Sequence, residues 1–132
     1  MSEEPVAEKP TVLVVDDEED LRDIMRRQLE RRGFATLTAG DSQETLALCR
    51  DHVGTIDVMV VDLTLPDANG GDLAADAVAV RPDLGVVFIS GLPKDIAVDK
   101  GLVGPDALLV KKPFTADLLL QALREVLDRK KG

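Results

Sequence analysis

Residues 11–18 read Thr11-Val12-Leu13-Val14-Val15-Asp16-Asp17-Glu18. The stretch is apolar after its first residue, carries three valines, and then turns abruptly acidic. An apolar run without polar alternation suits a parallel strand covered on both faces, and the acids mark its carboxyl end. Outward from it, Leu21, Ile24, Met25 and Leu29 fall at helical spacing, i, i+3, i+4 and i+8, which predicts one buried helix face. Arg31-Arg32 and then Gly33 suit the C-terminus and cap of that helix.

The same unit repeats down the chain. Ala35 to Thr38 reads as a second strand, and Asp41 with Glu44 reads as a capping box for a helix that buries Leu46, Cys49 and Val53. Ile56 to Val61 is the third strand, followed by a loop over Leu63 to Gly71 and a helical stripe of Leu73, Ala77 and Val80 ahead of Pro82. Val86 to Ile89 is the fourth strand, with a short helix over Pro93 to Lys100 bounded by Gly101, Gly104 and Pro105. Ala107 to Val110 is the fifth, and the last helix starts from Thr115 and buries Leu119, Ala122, Leu123, Val126 and Leu127. Five strands alternating with five helices predict one α/β domain over residues 11–129, with a parallel sheet and right-handed crossovers. Residues 1–10 mix Glu, Lys, Ala and Pro without periodicity and read as a flexible lead-in.

Composition narrows the function. Acids outnumber bases 25 to 16, for a net charge of -9, so no direct DNA binding is expected. No apolar run approaches the ~18 residues of a membrane span, so no membrane insertion is expected. The N-terminus is acidic where a secretion signal is basic, and one cysteine cannot form an internal disulfide. Both point to the cytoplasm.

Ligands of parallel α/β sheets sit outside the carboxyl ends of the strands. There the chain places Asp16-Asp17, Asp62, Ser90 and Lys111-Lys112. Three carboxylates brought together repel, and an all-oxygen site relieved by a divalent cation favours Mg²⁺, with Mn²⁺ as a substitute. A carboxylate can attack phosphorus, and a hydroxyl and an ammonium can hold the phosphoryl oxygens. His52, the only histidine, reads as a surface residue at a helix end, and Cys49 as a small core side chain.

Val14-Val15-Asp16-Asp17-Glu18, Asp62-Leu63-Thr64-Leu65-Pro66, Ile89-Ser90-Gly91 and Lys112-Pro113-Phe114 together resemble the four signatures of receiver domains in response regulators and hybrid histidine kinases. Each motif alone is weak, but four in order, each at a strand end, are specific. The resemblance implies a flavodoxin-like (βα)5 three-layer sandwich with strand order 2-1-3-4-5. It implies Asp62 as phosphoacceptor from a sensor histidine kinase or histidine phosphotransfer protein, with Ser90 and Lys112 on the phosphoryl oxygens. Asp17, Asp62 and the Thr64 backbone carbonyl would hold Mg²⁺, and Asp16 would hold metal-bound water. Lys112, rather than Lys111, takes its role by standing before Pro113, across a bond implied to be cis.

One departure is plain. Many receivers carry Tyr or Phe three residues before the lysine, where this chain has Leu109. A haloacid-dehalogenase-type phosphatase is the rival from another class, but Asp16-Asp17-Glu18-Glu19 lacks its Asp-x-Asp spacing. With no output domain read after residue 129, a stand-alone regulator is expected, and a receiver of a hybrid kinase is the alternative. The resemblance leaves room for a dimer and names no output target.

Overall fold

The computed structural model describes residues 9–131. Most of the lead-in expected over residues 1–10 therefore lies outside the described residues. Five strands alternate with five helices: β1 (Thr11–Val15), α1 (Glu19–Arg31), β2 (Ala35–Ala39), α2 (Ser42–Asp51), β3 (Val58–Asp62), α3 (Gly70–Val80), β4 (Gly85–Ser90), α4 (Lys94–Asp99), β5 (Leu108–Lys111) and α5 (Ala116–Lys131). All pairings are parallel and the strand order is β2-β1-β3-β4-β5. This is the flavodoxin-like α/β fold, with helices on both sides of the sheet. Among the described residues no helix is long and apolar enough to cross a membrane.

Strand periodicity sorts the core into two layers. Val12, Val14, Val58, Val60, Val87, Ile89 and Val110 pack against Met25 and Leu29 of α1 and Leu119 and Leu123 of α5. Leu13, Val15, Met59, Val61 and Phe88 face Cys49 of α2, Leu73 and Ala77 of α3, and Ala97 of α4. The central strands β1 and β3 are buried on both faces, which explains their unbroken apolar runs.

Five expectations need correction. Ile24, read as part of the buried face of α1, is 51% exposed, because the stripe through Met25 and Leu29 leaves it at the rim. Val53 lies past the end of α2 and is 95% exposed, so a helical spacing there has no helix to act on. Val80, in the last turn of α3, is also exposed. The loop expected to run to Gly71 stops at Asn69, whose side chain caps α3 by accepting from Gly71 N–H at 2.7 Å. Gly70 then begins the helix against the Asp62 carbonyl, where a Cβ would collide with backbone, so this glycine serves close approach rather than loop flexibility. The Asp41 cap holds, accepting from Glu44 N–H at 2.8 Å, but the Glu44 carboxylate turns back to Gly40 N–H instead of Asp41.

Candidate functional site

Pleat parity decides which strand-end side chains meet. Asp16 continues the parity of Val12 and Val14, Asp62 that of Val58 and Val60, and Lys112 that of Val110. All three therefore emerge toward the same side of the sheet, whereas Lys111 emerges on the other and is exposed. The order β1-β3-β4-β5 leaves Asp16 and Asp62 on neighbouring strands, and the long Lys112 side chain crosses to them. Its Nζ lies 2.5 Å from Asp62 Oδ2 and 3.1 Å from Asp16 Oδ2.

Each carboxylate is also held by backbone. Asp16 Oδ1 accepts from Glu18 N–H at 2.8 Å, and Asp62 Oδ1 accepts from Thr64 N–H at 2.9 Å. Arg22 donates to the Asp16 carbonyl at 2.8 Å and fixes the turn out of β1. Asp16 is fully buried and Asp62 nearly so, while Asp17 stands exposed at the mouth. Burial pushes the Asp16 carboxyl above its ordinary range, against the lowering effect of Glu18 N–H and Lys112. Burial works against the Lys112 ammonium too, yet its bonds to Asp62 and Asp16 prevail and hold its pKa above the usual value.

Asp16, Asp17 and Asp62 each bring a carboxylate oxygen within 4.8 Å of the others. Such a hard, all-oxygen, anionic donor set is able to bind a divalent metal ion. Ser90 is buried at the end of β4 with parity opposite to Asp62, and its Oγ accepts from Leu92 N–H at 3.0 Å. The Lys112–Pro113 bond is cis. His52 lies at the C-terminal end of α2, where its carbonyl accepts from Arg81 at 2.6 Å, away from the strand ends. Sequence reading missed Arg22 and Asp67, whose partners in space carry no local signal.

Residues 12–124 match the response regulator receiver domain family. This chain belongs to that family. Receiver domains serve two-component signalling as phosphoacceptor switches rather than conventional enzymes, and histidine kinases phosphorylate them. Membership sets aside the phosphatase alternative. Over 119 residues this receiver is 28% identical to the sensor kinase CckA of Brucella abortus, covering 90% of this chain and 13% of CckA. It is 29% identical to the response regulator SaeR of Staphylococcus aureus over 121 residues, 91% of this chain and 51% of SaeR. The chain thus spans about half of the length of SaeR and a small part of that of CckA. A receiver protein from Sinorhizobium medicae has TM-score 0.81 and 25% identity, covering 95% of this chain and 99% of that one. A Burkholderia pseudomallei response regulator, crystallised with a phosphorylated aspartic acid, a calcium ion and citrate, has TM-score 0.75 and 29% identity, covering 93% of this chain and 71% of that one.

Proposed function

We propose that Asp62 accepts a phosphoryl group from a phosphohistidine of a sensor histidine kinase or histidine phosphotransfer protein. The observation that carries this is the Lys112 ammonium bridging Asp62 and Asp16 beside a third carboxylate. In the transfer an Asp62 oxygen bonds to phosphorus while the phosphorus–nitrogen bond breaks and its electron pair returns to the imidazole. Lys112, already against Asp62 Oδ2, would follow the charge onto a phosphoryl oxygen, and Ser90 would donate its hydroxyl to another. Asp17, Asp62 and the Thr64 backbone carbonyl would hold Mg²⁺, or Mn²⁺ in its place, with Asp16 acting through water. The bound ion supplies the positive charge that lets an anionic phosphoryl group approach three carboxylates.

The switch then alters partner binding as a stand-alone regulator. A specific observation supports a second context, since the chain matches 13% of a sensor kinase's length, as a receiver within a hybrid kinase would. Acetyl phosphate with Mg²⁺ should add one phosphoryl group, labile in alkali, to wild type and none to Asp62→Asn, as read by intact mass. Equal labelling of both proteins would overturn the assignment. Phosphotransfer profiling against a panel of kinases would name the donor.

A further inference from the structure

The turn between β3 and α3 is tied at both ends. At its base, Thr64 and Asn69 form a β-bridge, and Gly70 N–H donates to the Leu63 carbonyl at 2.9 Å. At its tip, the Asp67 carboxylate reaches across to the first turn of α2. It accepts Ser42 N–H through both oxygens, at 3.0 and 3.2 Å, and the Ser42 hydroxyl at 2.6 Å. These bonds, the hydroxyl first, hold the Asp67 carboxyl below its ordinary range. α2 does not depend on Asp67 for its own cap, because Asp41 already fills that role. The tie therefore pins the turn while adding to the cap, since Ser42 N–H is one of the first-turn donors that α2 itself leaves unpaired. Thr64, at the base, also donates its N–H to Asp62 Oδ1.

We infer that Asp67 is a positioning residue for the acceptor site, a strap that fixes the Thr64 peptide beside Asp62 by anchoring the turn to Ser42. The inference rests on the proposed reading of Asp62 and Thr64 as metal and phosphoryl contacts. A strapped turn presents the Thr64 carbonyl and N–H already in place. A freed turn must be ordered each time a cation or phosphoryl group binds, and that ordering weakens binding. Contacts one layer out from a metal's ligands typically change affinity by about 10- to 100-fold when removed. Asp67 bonds none of the ligands directly and is exposed, acting on Thr64 only through the turn, so the lower end applies.

The test is Mg²⁺ titration followed by the amide resonances of Thr64 and Gly91, since the chain has no Trp or Tyr to report fluorescence. In Asp67→Ala the Mg²⁺ dissociation constant should rise about tenfold, the lower end of that range, and labelling by acetyl phosphate at subsaturating Mg²⁺ should slow in proportion. Asp67→Asn keeps an acceptor oxygen for Ser42 and should recover most of the affinity. Asp41→Ala, which weakens α2 without touching the turn, should leave Mg²⁺ binding near wild type. An unchanged dissociation constant in folded Asp67→Ala overturns the inference. So does Asn behaving like Ala, which would assign the effect to charge, or Asp41→Ala losing as much, which would assign it to helix stability. Asp62→Asn is titrated and labelled alongside. Its loss of labelling upholds the phosphoacceptor reading whatever Asp67 does, so the two ideas fail separately.

Discussion

Two aspartates bracket β3, and they live differently. Asp57 precedes the strand, and its Oδ2 accepts Thr11 N–H at 2.7 Å. Lys130 donates to the Asp57 backbone carbonyl at 2.8 Å, not to its carboxylate. At that end of the sheet the charged groups are matched to backbone dipoles, as where Arg81 donates to the carbonyls of Cys49, His52 and Gly54 around the end of α2. Asp62 ends the strand, and there one ammonium bridges two carboxylates, Asp16 and Asp62, with that of Asp17 close by. The same residue types are used at both ends, but only one end is left with uncompensated negative charge. That surplus makes the strand terminus able to bind a divalent cation, and nothing in residue identity alone distinguishes Asp57 from Asp62.

The contrast breaks most visibly at the two lysines. Removing one partner of a buried ion pair costs about 3–5 kcal/mol. The Lys112 side chain is a quarter exposed, so Lys112→Ala in metal-free protein should cost about 2 kcal/mol after discounting for solvent. Lys130→Ala, at an exposed carbonyl contact, should stay within about 0.5 kcal/mol. Urea unfolding with a chelator present measures both. The raised Lys112 pKa fixes the pH window. Its contribution is complete below the unfolded lysine value and fades only as pH rises through the higher folded value, so the gap between the two mutants should persist from neutral pH into the alkaline range. Equal losses would mean the carboxylate cluster does not depend on its ammonium.

Metal sharpens the same comparison at a smaller scale. Mg²⁺ at ten times its dissociation constant should stabilise the wild type by about 1.4 kcal/mol, or about 4 °C in Tm for a domain of this size. In metal-free protein Asp17→Asn should be more stable than wild type, because one repelling carboxylate is gone, and it should lose most of the Mg²⁺ response. Asp57→Asn should keep the full response. A Tm unmoved by millimolar Mg²⁺ in wild type would remove the case for a cation at the strand ends.

Much of this was legible in the sequence because strand ends are marked by abrupt polarity. Val15 to Asp16, Val61 to Asp62 and Ile89 to Ser90 each switch in one step, and pleat parity then brings Asp16, Asp62 and Lys112 together. What periodicity could not resolve was the rim of a helix face. Ile24 and Val80 have helical spacing but no neighbour to cover them, and Val53 falls after α2 has ended. Gly70 and Gly71 read as loop because glycine is a poor helix former, yet close approach to the Asp62 backbone requires a residue without a Cβ at Gly70. Asp67 and Ser42 lie 25 residues apart, and Arg81 lies 32 residues from Cys49, so those ties exist only once the fold has formed.

The smallest expected effect concerns how a change at Asp62 leaves the site. Arg81 clamps the end of α2 and the loop before β3 with three carbonyl contacts, while the side-chain bond in the turn after β4 runs from Leu92 N–H to Ser90 Oγ. α4 begins at Lys94 with no side-chain cap, and its six residues end before Gly101. For Ser90 to donate to a phosphoryl oxygen its hydroxyl must turn and weaken its hold on Leu92, and a bond of that kind is worth about 1 kcal/mol. Loosening it should speed amide exchange about fivefold across residues 90–104. Leu109 sits beside Phe88 in register, on the α4 side of the sheet, and packs behind that segment. Beryllofluoride with Mg²⁺ should therefore change exchange in residues 90–104 and leave residues 52–57 as they were. Ser90→Ala should abolish the response, while Leu109→Ala should keep most of it. The reverse pattern would make Leu109 the moving part, and a response at residues 52–57 would show that the clamped loop before β3 is no more rigid than the turn after β4.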